Sequence, residues 1–114
     1  MLLISMHKEE NKVEHNEKIT VKVDSDLEDL MPGYLQNRHG DIGKIQKALE
    51  QNDYESIRVL GHTMKGTGGG YGFDSITDIG RSIEQSAKDK NPEDIRKLIH
   101  ELSSYLERVE VVYQ

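Results

Sequence analysis

One segment of the chain combines residue types that suit phosphoryl chemistry, and it reads GHTMKGTGGGYGF from Gly61 to Phe73. On a helix that turns about 100° per residue, His62 points roughly 140° away from the apolar direction. Lys65 follows one turn later. A neutral imidazole nitrogen is a nucleophile near neutral pH, and a lysine beside it can stabilise the negative oxygens of a transferred phosphoryl group. The segment therefore predicts a solvent-facing histidine that carries phosphate, with Lys65 as its charge-stabilising neighbour.

Three further residues of this predicted helix surround His62 on the same surface. Arg58 lies one turn before it and offers a second positive charge. Gly66 lies one turn after it, and Gly69 extends the surface without adding a side chain. A partner protein can approach an imidazole closely where side chains are missing. We therefore predict Arg58, Gly66 and Gly69 as partner-docking positions.

The density of glycine separates His62 from an ordinary surface histidine. Five glycines between positions 66 and 72 cost a helix several kcal/mol of intrinsic propensity, at about 1 kcal/mol each. Such a loss needs a reason, either close helix packing or close approach of a partner. Helical periodicity predicts Gly61 and Gly68 on the inner face, and Gly66 and Gly69 on the outer face. The chain's other histidines lack this context and are interpreted as surface residues; they are His7, His15, His39 and His100.

Apolar periodicity after residue 25 predicts the elements that hold this segment in place. Leucine and isoleucine recur at the three- and four-residue spacing of amphipathic helices. The predicted elements are a short N-terminal helical turn at 26–31, a helix through Pro32 to near Gln51, a helix from Asn52-Asp53 toward Gly72, a helix capped by Asp74, and a last helix from Asn91-Pro92 with a seam that reaches Val109. The short loops favour antiparallel neighbours. The predicted fold class is all-α: an antiparallel up-and-down four-helix bundle with a short extra N-terminal helix.

Residues 1–25 lie outside this helical pattern. The run up to Lys18 is charged and without period, which is typical of a flexible tail. Ile19 to Val23 alternates apolar and polar residues like a short strand. Because no partner strand is evident, we expect it to pack as an extended arm. The predicted organisation is a tail and arm at 1–25 followed by a helical bundle domain at 26–114.

Composition limits the functions that this chain can have. Its 114 residues correspond to one domain, and 34% hydrophobic against 32% charged residues predicts a narrow core between amphipathic helices. A net charge of −6 disfavours nucleic-acid binding. The absence of cysteine excludes disulfides and thiol nucleophiles. The apolar start of the chain is too short to span a membrane. We expect a cytoplasmic monomer that binds neither nucleic acid nor membrane.

The sequence from His62 to Gly66 matches the H-x-x-K-G signature of histidine-containing phosphotransfer (HPt) domains. The segments before the histidine-bearing helix, at Ala48-Leu49 and Asn52-Asp53, and the segment after it, at 71–73, also resemble this family. The resemblance covers about residues 26–112. Two features depart from the pattern: Gly61 replaces a common alanine, and the glycine run 68–70 is unusually rich. Neither departure removes a functional group.

The resemblance implies a phosphorelay intermediate of two-component signal transduction. HPt domains take a phosphoryl group from a receiver-domain aspartate and pass it to another receiver aspartate, without kinase activity of their own. The implied roles are His62 as the phosphorylated residue, Lys65 as the charge-stabilising residue, and Gly66 as the clearance position. The implied partners are receiver domains of response regulators and a hybrid sensor histidine kinase. No cofactor or metal of its own is expected, and magnesium is expected in the partner receiver.

Other kinds of protein share parts of this residue pattern. A helical adaptor could dock on receivers without carrying phosphate, although the presence of both His62 and Lys65 argues against it. The histidine domain of a chemotaxis-type kinase would share the bundle and the exposed histidine. A Walker A loop is disfavoured because Thr67-Gly68 stands where Lys-Ser or Lys-Thr is required and no strand precedes it. No histidine spacing typical of zinc sites occurs.

Overall fold

The computed structural model describes residues 17–114. Most of the predicted flexible tail, residues 1–16, lies outside the described part. The elements are strand β1 at Ile19–Val23, a 3-10 helix at Ser25–Leu30, helix α1 at Met31–Glu50, helix α2 at Tyr54–Thr67, a 3-10 helix at Gly69–Tyr71, helix α3 at Asp74–Lys88, helix α4 at Pro92–Arg108, and strand β2 at Val109–Tyr113. The prediction of four main helices is confirmed. Their antiparallel order stays a prediction.

Local residue signals set the helix starts. The Asp53 side chain accepts a hydrogen bond from the Ser56 N–H at 3.1 Å and so caps α2. The Asn91 side chain caps α4 in the same way, with Pro92 at the first helical position. Asp74 differs from its prediction, because α3 begins at this residue and Phe73 occupies the cap position. An acidic residue in the first turn still stabilises the positive end of the helix dipole.

The N-terminal strand has a partner, which corrects the predicted all-α fold class. β1 pairs in parallel with β2, with Ile19 opposite Val109 and Val23 opposite Tyr113. The expectation of an unpaired extended arm is wrong, and Val109 belongs to a strand rather than to the seam of α4. The physical reason is that residues 109–113 (VEVVY) favour extended structure, while Val109 also satisfies the helical spacing of the preceding residues. The fold is mostly helical with a two-stranded parallel sheet.

The core is a mainly aliphatic seam between the helices, with a few aromatic side chains, and it also receives one strand residue. Val23 of β1 is 2% exposed, so part of the predicted arm contributes to the core, while the boundary at residues 25 and 26 stays a prediction. Among residues 17–114, no helix combines the length and the apolar character needed to cross a membrane. The most fully buried side chains are Val23, Met31, Ile45, Ile57, Met64, Phe73, Ile76, Ile83, Ile95 and Leu102.

Glycines bring the backbones of α2 and α3 into direct contact. A Cβ atom at Gly61 would lie 2.7 Å from the backbone nitrogen of Glu84, and one at Gly80 would lie 2.6 Å from that of Lys65. A Cβ at Gly68 would lie 2.6 Å from the backbone nitrogen of Thr77. Both Gly61 and Gly68 are buried, as predicted. Across this close contact, side chains of α3 such as Thr77 and Glu84 bond to groups of α2.

Candidate functional site

His62 and Lys65 lie one turn apart on α2, at its boundary with α3. The His62 side chain is 62% exposed, and that of Lys65 is 34% exposed. Gly61 and Met64, their neighbours in sequence, are buried and anchor this face of the helix. The helix therefore presents the imidazole to solvent from a rigid support, as its periodicity predicts.

A carboxylate of α3 joins the two side chains. Glu84 Oε2 lies 2.9 Å from His62 Nδ1, and Glu84 Oε1 lies 2.8 Å from Lys65 Nζ. The Glu84 side chain is only 8% exposed. Within residues 17–114, no buried side-chain nitrogen or oxygen lacks a hydrogen-bond partner. The three residues thus form a cluster in which one buried carboxylate holds an exposed imidazole and a half-buried ammonium group.

The ionisation of Glu84 determines which nitrogen of a neutral imidazole ring carries the hydrogen. The hydrogen bond from Lys65 lowers the pKa of the Glu84 carboxyl from its ordinary 4.5 to about 2. Burial opposes this shift, and the hydrogen bond with His62 reinforces it. Glu84 is therefore ionised at neutral pH and can only accept hydrogen bonds. It follows that Nδ1 of His62 carries a hydrogen, and that Nε2 of the neutral ring carries the lone pair.

Arg58 is engaged elsewhere. Its guanidinium binds the Glu55 carboxylate, with Nε donating to both oxygens at 3.1 and 3.2 Å. This hydrogen bond lowers the pKa of Glu55 and raises that of Arg58. The structure does not bring Arg58 into the hydrogen-bonded cluster of His62. Its predicted place on the partner-facing surface remains compatible with a side chain that is 35% exposed.

The two glycines predicted to clear the surface occupy different local structures. A Cβ atom at Gly66 would meet nothing within 4 Å, so the helix surface one turn after His62 is open. Gly69 lies beyond the end of α2, in the 3-10 helix, and its N–H donates to Thr77 Oγ1 at 2.8 Å. A Cβ at Gly69 would make an ordinary contact of 3.5 Å with Asp74. Both glycines are exposed, as predicted.

Glu84 is the site residue that sequence reasoning missed. The helix predicted after Asp74 carries isoleucine at positions 76, 79 and 83, and Glu84 lies at the edge of the face that these residues share. A charged residue on an apolar face is a signal in itself, because a buried charge requires a partner. The identity of that partner depends on how α2 and α3 pack. Helical spacing along one helix does not supply that information.

Metal binding receives no support within the described residues. No group of three or more histidine, aspartate or glutamate side chains between residues 17 and 114 is arranged to hold an ion. His39 and His100 are exposed and lie outside the cluster, while His7 and His15 lie outside the described residues.

A comparison with protein families finds one match that covers about three quarters of the chain. The model of the Hpt domain matches residues 26–111. No curated protein and no solved structure gives a match. The matched range contains all four helices and all three residues of the cluster.

Proposed function

The chain belongs to the Hpt domain family, and from this premise we propose that His62 is the residue that carries the phosphoryl group. Hpt domains perform histidine-containing phosphotransfer in two-component systems, and they are carriers rather than kinases. In our proposal, His62 accepts the group from an aspartate of one receiver domain and delivers it to an aspartate of another. The chain acts as a monomer between a hybrid sensor histidine kinase and a response regulator.

The observation that supports this proposal most strongly is the orientation of the imidazole. Glu84 engages Nδ1 at 2.9 Å, and among the described residues Nε2 has no hydrogen-bond partner. The Nε2 lone pair attacks the phosphorus of the aspartyl phosphate. A nitrogen–phosphorus bond forms, the bond from phosphorus to the aspartyl oxygen breaks, and the aspartate leaves as a carboxylate. Nδ1 keeps its hydrogen, so the positive charge of the product ring faces Glu84.

Lys65 has a supporting role in this step. An ammonium group has three hydrogens to donate, and the contact with Glu84 at 2.8 Å uses one of them. The others are available for the equatorial oxygens of the phosphoryl group, whose charge they stabilise in the transition state. Gly66 leaves room for the receiver to approach. The magnesium ion expected in this chemistry belongs to the receiver.

Transfer of label from a phosphorylated receiver tests the proposal. Receiver domains loaded with radioactive acetyl phosphate are mixed with the chain, and the bound label is examined for acid lability and alkali stability. The wild type is expected to take acid-labile, alkali-stable label and to lose it to a second receiver. His62→Gln is expected to take none, while His100→Gln, altered at another exposed histidine, is labelled normally. Label that persists in His62→Gln overturns the assignment of the site.

The same assay tests the role of Lys65. Lys65→Ala is expected to slow transfer without abolishing it, because the variant retains the nucleophile and loses one source of charge stabilisation. An unchanged rate would remove Lys65 from the mechanism.

A further inference from the structure

A threonine of α3 enters the hydrogen-bond ladder at the end of α2. In a regular α-helix the N–H of residue 69 donates to the carbonyl oxygen of residue 65. Here the Gly69 N–H donates to the hydroxyl oxygen of Thr77 at 2.8 Å, and this hydroxyl donates to the Lys65 carbonyl oxygen at 3.1 Å. The Thr77 hydroxyl therefore bridges two backbone groups that a continuous helix would join directly.

This bridge occurs where α2 needs donors from outside. The helix ends at Thr67, and the last four carbonyl groups of a helix have no donor within it. The carbonyl of Met64 accepts the Gly68 N–H at 2.9 Å. The next carbonyl, that of Lys65, accepts the Thr77 hydroxyl. The backbone of Lys65 is thus tied to a different helix.

α3 holds Lys65 at three places. Gly80 lets the Lys65 backbone nitrogen lie against α3, because a Cβ atom at Gly80 would be 2.6 Å from it. Thr77 binds the Lys65 carbonyl oxygen, and Glu84 binds its ammonium nitrogen at 2.8 Å. Thr77, Gly80 and Glu84 are spaced by three and four residues, which places them on one face of α3. That face fixes both the backbone and the end of the Lys65 side chain.

The position of Thr77 requires a small hydroxyl. The group there accepts a hydrogen bond from one backbone group and donates one to another, and a hydroxyl has one hydrogen and two lone pairs for this purpose. Gly68 provides the space, since a Cβ atom at Gly68 would lie 2.7 Å from Thr77 Oγ1. Valine has nearly the shape of threonine but can form neither bond, whereas serine can form both.

We infer that Thr77 is a positioning residue for Lys65, because its hydroxyl fixes the Lys65 backbone from which the ammonium group reaches the phosphoryl oxygens. This role rests on the proposed function, in which Lys65 stabilises the transferred group. Glu84 holds only the end of a flexible aliphatic stem, so the place of the ammonium group also depends on where the backbone is held. A displacement of about 1 Å at a reacting centre can slow a reaction by up to about a hundredfold.

A double-mutant cycle tests this role. Thr77→Val and Lys65→Ala are made singly and together, and label transfer from a phosphorylated receiver is measured per folded molecule, with the folded fraction taken from circular dichroism. Thr77→Val is expected to slow transfer several-fold, and by no more than Lys65→Ala does. In the Lys65→Ala background the same change is expected to have no further effect, because no ammonium group remains to be positioned. A merely structural effect would slow transfer equally in both backgrounds.

Three further variants complete the test. Thr77→Ser is expected to transfer at close to the wild-type rate, because it retains the hydroxyl. Thr20→Val makes the same change at an exposed threonine of β1 and is expected to leave transfer unchanged. If Thr77→Val fails to fold, Thr77→Ala removes the hydroxyl and takes its place in the same cycle.

The outcomes separate this role from the proposed function. An unchanged rate in Thr77→Val, equal slowing in the two backgrounds, or a Thr77→Ser variant as slow as Thr77→Val overturns the role of Thr77 and leaves the proposed function intact. A Lys65→Ala variant that transfers at the wild-type rate also overturns it, since Lys65 then has no action that depends on its position. A wild type that takes label from no receiver overturns the proposed function, and the role of Thr77 with it.

Discussion

Among residues 17–114, two carboxylates are buried, and they are neutralised in different ways. Asp41 of α1 is 4% exposed and pairs with Arg38, three residues earlier in the same helix, at 2.8 Å. Arg38 is itself buried, and its guanidinium lies 4.6 Å from the centre of the Tyr34 ring. All members of this group belong to one helix and are covered by the protein. The group links neighbouring turns of α1 and offers nothing to solvent.

The buried carboxylate of Glu84 has partners on a different helix, and both partners reach solvent. It holds His62 and Lys65 of α2, whose side chains are 62% and 34% exposed. Burial of a charge is therefore common to a structural pair and to the proposed site. The difference is that Glu84 orients an exposed nucleophile, whereas Asp41 neutralises a buried cation. Mutations in the two groups are therefore expected to have different consequences. The pair in α1 is expected to affect stability, and the Glu84 cluster is expected to affect phosphotransfer.

The largest effect on stability is expected at the pair in α1. Asp41→Asn leaves the buried guanidinium of Arg38 without its counter-charge, and breaking a buried pair costs about 3 kcal/mol or more of unfolding free energy. Urea unfolding measures this loss. The rate of phosphotransfer per folded molecule is expected to stay unchanged. A variant that keeps its stability but transfers slowly would assign Asp41 to the site instead.

The largest effect on transfer short of removing the nucleophile is expected at Glu84. In Glu84→Gln the amide can donate as well as accept, so it no longer fixes the hydrogen on Nδ1, and Lys65 loses its anion. Transfer from receivers is expected to fall roughly a hundredfold, within the usual range for loss of acid–base positioning. Glu101→Gln, which changes an exposed glutamate on α4, serves as the control. Equal rates in the two variants would show that Glu84 does not position the imidazole.

The glycine contact between α2 and α3 is expected to matter less, and only on the inner face. Gly61→Ala forces a methyl group against the backbone of α3, at 2.7 and 2.9 Å, and is expected to cost about 1–3 kcal/mol of stability. Gly66→Ala enters open space and is expected to gain up to about 1 kcal/mol from helix propensity. Thermal unfolding of the two variants measures the loss of stability expected for Gly61→Ala and the gain expected for Gly66→Ala. A stabilised Gly61→Ala would contradict the close packing that positions Glu84.

Acid provides a separate test of the Glu84 ion pairs. The pKa of Glu84 is about 2 in the folded chain against its ordinary 4.5, so between these values the unfolded state binds more protons. The contribution of Glu84 to stability is therefore complete above pH 4.5 and is lost as the pH falls toward 2. Glu84→Gln is expected to lose less stability over this interval than the wild type does. Urea unfolding measures the free energy of unfolding of both proteins at each pH. If it falls equally in the wild type and in Glu84→Gln, the Glu84 ion pairs do not contribute to stability.

The sequence predicted those features that depend on local spacing. The four helices follow from apolar periodicity, and their starts follow from caps such as Asp53 and Asn91. The exposure of His62 follows from the same periodicity, because Gly61 and Met64 fix which face of α2 is buried. Gly69 was misplaced on the helix because the predicted pattern did not show that α2 ends at Thr67.

The features that the sequence did not predict depend on contacts between distant segments. β2 follows α4 directly and begins at Val109, which also fits the helical seam, and its partner β1 lies about 90 residues earlier. Glu84 lies 22 residues from His62 along the chain, and their contact exists because Gly61 and Gly80 let two helices approach closely. Periodicity identifies a face of each element, but it does not identify the neighbour of that face.

The central claim is that Glu84 holds Nδ1 of His62, so that Nε2 carries the phosphoryl group. Nitrogen-15 and phosphorus-31 NMR of the phosphorylated wild-type chain tests it most directly, because coupling to phosphorus identifies the bonded nitrogen. We expect one phosphohistidine signal, from Nε2 of His62, although the chain contains 5 histidines. A phosphoryl group on Nδ1, or on any other histidine, would contradict this account.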